Sequence, residues 1–174
     1  MEGEILGGSR NAAEATIQLL IQSGLGTGTY IACAACLAGT KLFRNTGLDQ
    51  GEIEPGSYVL IDTLNDDGMA LMTRLDEFLA EIREEPIDNW NLPPLEGSGP
   101  PMSLIDLAAK FEPEFDAICS QHEIAPSAAP ECAMLAAALL IHRASPVLTE
   151  EVGKSIVIQV LVASVKTMPH PRPH

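Results

Sequence analysis

Residues 29–42 read TYIACAACLAGTKL, and Lys41 is the only charge among them. A helix without a polar face must be surrounded by other protein or by lipid. The side chains here are mostly small: Ala32, Cys33, Ala34, Ala35, Cys36, Ala38 and Gly39. Small side chains let neighbouring backbones come close. The stretch therefore predicts the central helix of an all-α body. Thr27 or Thr29 is its expected cap, and Asn45-Thr46-Gly47 its stop.

Outward from this helix the spacing stays helical. Ile17, Leu20 and Ile21 stripe a first helix over 12–22, with Ser9 or Asn11 as its cap and Ser23-Gly24 as its end. Tyr58 to Ile61 reads as a short strand or an extended lead-in. Leu71, Leu75, Phe78, Leu79 and Ile82 mark a third helix that starts near Asn65 or Asp66 and stops before Pro86. Ser103 caps a fourth, whose buried face is Leu104, Leu107, Ala108, Phe111, Phe115 and Ile118; Pro113 is expected to kink or split it. Residues 131–143 form a second Ala-rich apolar helix. Ser145-Pro146 reads as the cap and first residue of the last helix. Its core, residues 155–165, is rich in β-branched side chains, so a strand is the alternative there.

Residues 85–102 hold five prolines and two glycines and read as an irregular linker within one domain spanning 1–174. The tail, 168–174, is expected to be disordered. The expectation is thus a single-domain bundle of about six helices. Its two three-helix halves are loosely alike, which duplication or chance pairing would both produce.

Composition narrows the partners. The chain is 46% hydrophobic but only 4% aromatic, so its apolar mass is aliphatic and favours helices. The net charge is −14, with only ten basic residues. Phosphate neutralisation needs clustered Lys and Arg, so neither nucleic acid nor an anionic membrane surface is an expected partner. The first ten residues, MEGEILGGSR, lack a basic region followed by a long apolar core, so they do not read as a secretory signal. The longest apolar windows are too short to span a bilayer. A cytoplasmic protein with reduced cysteines is the expectation.

Four side chains are the candidates for metal chemistry. Cys33 and Cys36, and likewise Cys119 and His122, stand three residues apart and share a helix face. Two such pairs on facing helices would give zinc four suitable ligands. The competing explanation is core packing of small thiols. Asn65-Asp66-Asp67-Gly68 resembles a calcium loop in composition, but Thr63 and Arg74 then fall at the ligand positions that need carboxylates. Gly24-Leu-Gly26-Thr-Gly28 fits a tight turn better than a phosphate cradle, since no Gly-Lys-Ser/Thr follows. Glu112, Glu114, Asp116 and Glu123 lack the Glu-x-x-His pairs of a di-metal bundle and read as a solvated acidic face. His142 and Arg143 suit the negative end of their helix. No nucleophile has flanking residues that indicate a triad, and no cofactor is implied.

Several helices are apolar on more than one face, which a small domain has limited interior to cover. A subunit interface is the natural place for that surface. The expected function is that of an acidic, soluble, non-enzymatic interaction protein, a scaffold, adaptor or chaperone-like partner, that forms a homodimer or larger homo-oligomer. The alternative is a bundle that binds a small molecule or metal, or acts as an enzyme, through a pocket beside the Cys-containing helices.

Overall fold

A computed structural model describes residues 2–48, 53–87 and 102–171, with the side chains of 2–7 excluded. Six α-helices follow in order: α1 (Glu2–Gln22), α2 (Thr27–Asn45), α3 (Asp62–Ile82), α4 (Leu104–Gln121), α5 (Ala129–Arg143) and α6 (Glu150–Ser164). The all-α expectation holds. Residues 156–165 are helical up to Ser164 and not a strand.

The two Ala-rich helices, α2 and α5, lie at the centre and pack chiefly on each other. Every side chain from Cys33 to Lys41 is buried, as is every one from Cys132 to Ile141. Their alanines allow this, because a larger side chain on every face would hold the surrounding helices away. The outer helices are exchanged between the halves. Helices α4 and α6 pack on α2, whereas α1 and α3 pack on α5. Interchanging the first three helices with the last three leaves this pattern unchanged.

Several element ends differ from expectation. Helix α1 begins at Glu2, so neither Ser9 nor Asn11 caps it; it runs through Gly8, which lies 3.7 Å from the His122 carbonyl oxygen, measured from a methyl built on the glycine. Gly26, not a threonine, precedes α2, and Thr27 is buried in its first turn. The hydroxyl of Thr149 accepts from the Val152 amide and caps α6, so Ser145-Pro146 sits in the preceding turn. Acidic Glu150 and Glu151 then fall where the helix dipole favours them. Pro113 neither splits nor ends α4. It lies on the exposed face, where water can serve the Ala109 carbonyl that loses its helical donor.

The start of the tail is ordered, contrary to expectation. Tyr58 and Thr167 form an isolated antiparallel bridge. The Met168 amide donates to Ser57 at 2.9 Å, and the Gly56 amide donates to Met168 at 2.7 Å. Met168 is fully buried with Phe43 and Leu64 in a small second core. Pro169 beside it is buried as well. Trp90 and most of the 85–102 linker lie outside the described residues, as do residues 172–174.

Candidate functional site

The four cysteines are buried and free. Cys33 and Cys36 lie inside α2, and the Cys36 thiol donates to the Leu104 carbonyl at 3.2 Å. Burial, the largest cause, pushes both thiols up to about 12. They therefore stay protonated near neutrality, the form that does not attack carbon. Cys119, near the end of α4, and Cys132 of α5 are likewise buried. His122 is half-buried at the end of α4. Among the described residues no group of three or more His, Cys, Asp and Glu side chains is placed to hold a metal ion. His142 Nε2 lies 3.1 Å from the Glu85 carbonyl oxygen, and His174 is outside the described residues.

The densest polar site joins α2 to α4. Lys41, buried in the chargeless stretch, donates to Glu112 Oε1 at 2.8 Å and pairs with Asp116. Its ammonium also stands 6.0 Å from the Phe115 ring centroid. Arg44 donates to both Glu112 oxygens, at 3.0 and 2.8 Å, and to the His170 carbonyl at 2.6 Å. Glu112 is only 6% exposed, so it does not belong to a solvated face. Burial alone would raise its pKa. Hydrogen bonds from Arg44 and Lys41, with their charges, outweigh that and hold it below the ordinary carboxylate value. A cavity of about 290 Å³ opens beside the cluster, lined by Arg44, Ala109, Glu112, Asp116 and His170 among others.

A matching ion pair lies across the other helix exchange. Arg143, at the end of α5, donates to Glu14 of α1 at 2.8 and 2.5 Å. Each central helix thus ends in an arginine that reaches a glutamate on the first helix of the opposite half. Sequence signalled Arg143 but not Arg44, and neither of their partners, which are distant along the chain.

A third feature is an apolar groove between α3 and α6. Leu64, Gly68, Met69, Met72, Leu161 and Val162 line a space of about 130 Å³. Met69 is 64% exposed and Val162 38%. Ile158, one turn before Val162, is also exposed. The Lys154–Asp76 ion pair, at 2.5 Å, ties the same two helices together. No described helix is long and apolar enough to cross a membrane. No protein-family model, curated protein or solved structure matches the chain.

Proposed function

We propose that this protein is a non-enzymatic interaction protein, a scaffold or adaptor, that self-associates through the α3–α6 groove. Support comes from one observation: Met69 of α3 and Val162 of α6 both line the groove and remain exposed, and Ile158 is exposed one turn before Val162. Large apolar side chains grouped along a groove mark a binding surface more than scattered ones do. Two copies at −14 each repel, but that repulsion is screened beyond about 8 Å at physiological salt. Apolar burial acts at contact and is not screened.

Sedimentation velocity at low and high salt tests this. A dimer that tightens as salt rises, and that Met69→Glu or Val162→Glu dissolves, is the expected result. A monomer under all conditions would reject self-association. Association with a basic protein that weakens with salt would instead identify a heterologous partner for the acidic surface.

A second function, small-molecule binding, draws on the 290 Å³ cavity beside Arg44 and Glu112. A native mass spectrum tests it, since a co-purifying ligand adds mass that Asp116→Ala removes. A bare protein mass before and after incubation with metabolite extracts would count against it.

A further inference from the structure

The chain that leads into α3 forms a short ribbon with one open edge. The Gly56 amide donates to Met168 at 2.7 Å, the Met168 amide to Ser57 at 2.9 Å and the Val59 amide to Lys166 at 2.8 Å. Tyr58 faces Thr167 between the last two bonds. Ile61 is still extended, with φ −134° and ψ 116°. Successive residues of a strand direct their backbone groups to opposite edges. The amides and carbonyls of Tyr58 and Leu60 therefore point away from the tail, and no described residue bonds to them. Side chains alternate between faces in the same way. Val59 and Ile61 pack on the small core around Phe43, Leu64 and Met168, while Tyr58 and Leu60 stand on the other face, 66% and 72% exposed.

We propose that the edge from Tyr58 to Leu60 takes an extended peptide as a third strand, one with apolar residues at alternate positions and basic residues at its ends. An edge with open amides and carbonyls is a template for another strand. Lysine, proline or a covering loop blunts such an edge elsewhere. Here the two residues that offer backbone groups are uncharged and apolar. A strand laid along them gains bonds from two amides and two carbonyls. Its residues opposite Tyr58 and Leu60 share their face and cover them.

Charge selects the occupant. Glu54 precedes the edge, Asp62 follows it, and Asp66 stands one helical turn later; all three are exposed and hold no ion pair among the described residues. Lys166 is the one cation in the ribbon's two strands. A second copy would set like carboxylates against these, whereas a peptide with basic ends meets opposite charge at both. Neither Tyr58 nor Leu60 lines the α3–α6 groove, so the two surfaces are probed apart.

The test titrates the protein into two fluorescein-labelled peptides, Arg-Thr-Val-Thr-Val-Thr-Arg and the same chain with phenylalanine for valine, and reads anisotropy. Saturable binding that weakens as salt rises is expected. In amide NMR spectra the largest shifts should fall at Tyr58 and Leu60. Residues opposite these two turn their amides to the protein, so methylating the valine nitrogens should weaken binding about tenfold. Methylating the threonine nitrogens, which face water, should change it little. Leu60→Pro removes one edge donor and should weaken binding about fivefold, while Met69→Glu in the groove should not. Should Leu60→Pro not fold, the two methylated peptides decide on the parent protein. No binding of either peptide, equal loss from both methylations, undiminished binding by Leu60→Pro, or loss in Met69→Glu would overturn the proposal. So would a dimer that Leu60→Pro dissolves, since the edge would then belong to a second copy.

Discussion

Gly39 of α2 faces Ser164 of α6 with no room for a side chain between them. A methyl built on Gly39 would overlap Ser164 Oγ and come within 2.9 Å of Ser164 Cβ and 3.2 Å of the Val165 nitrogen. The hydroxyl can rotate away, but the Cβ and the backbone nitrogen cannot. Glycine in a helix interior costs about 1 kcal/mol relative to alanine, so the crossing must return more than that. Gly39→Ala is expected to destabilise by about 1–3 kcal/mol, and Gly39→Leu by more. Combining Gly39→Ala with Ser164→Gly should recover part of the loss. Urea unfolding of the three variants checks this; an Ala variant as stable as the parent would show that the two helices are free to separate.

Removing Glu112 is expected to cost about 3–5 kcal/mol, because Lys41 would keep only Asp116 and Arg44 would lose both of its bonds to the carboxylate. Replacing Lys41, Arg44 and Glu112 together, by Lys41→Met, Arg44→Met and Glu112→Leu, should cost much less, since no buried cation is then left without Glu112. The pH dependence follows from the lowered pKa of Glu112. A carboxyl with a depressed folded pKa adds stability that is full above its unfolded value, about 4.3, and fades as pH falls through the lower folded one. Unfolding free energy should therefore drop from about pH 4.5 downward. Glu112→Gln should flatten that drop. An equal slope in parent and variant would mean that other carboxylates dominate acid unfolding.

Gly68 is the opposite case to Gly39. It is buried in the α3–α6 groove, yet a methyl there meets nothing within 4 Å. Gly68→Ala should stabilise the folded chain by about 0.4–1 kcal/mol through the unfolded state. Gly68→Leu should fill the groove and weaken self-association without unfolding the protein. Calorimetry and sedimentation on the same two variants separate these effects; a Leu variant that still dimerises would move the interface elsewhere.

Glu123 holds a left-handed conformation at a position where glycine is preferred, and its charge lies at the negative end of α4. Glu123→Gly is expected to stabilise by about 1 kcal/mol, and Glu123→Asn by less. Thermal unfolding reads this directly. A loss of stability in Glu123→Gly would mean that the glutamate side chain holds the turn.

Much of the fold was legible because apolar spacing depends on neighbours three and four residues away. Leu71, Leu75, Phe78, Leu79 and Ile82 are all buried as their period predicts. The small-residue runs around Ala35 and Ala136 likewise sit at the centre. Partnerships between distant residues left no such trace. Glu112 looked like one acid among several, since Lys41 and Arg44 lie on another helix. Ser145-Pro146 and Thr149 are both plausible helix starts locally, and packing around Leu148 and Gly153 selects the second. Met168 and Pro169 show why composition misled at the tail: two buried side chains can order a proline-rich segment.

The exchange of outer helices between the halves also bears on how the chain reaches this state. During synthesis α2 emerges long before α4, α5 and α6, which supply most of its cover. An almost wholly apolar helix must then wait, exposed, while the ribosome completes the second half. Contacts between distant segments form slowly, and the waiting species is prone to aggregate. Severed within residues 88–101, the pieces should each be insoluble or molten alone and should regain structure when refolded together.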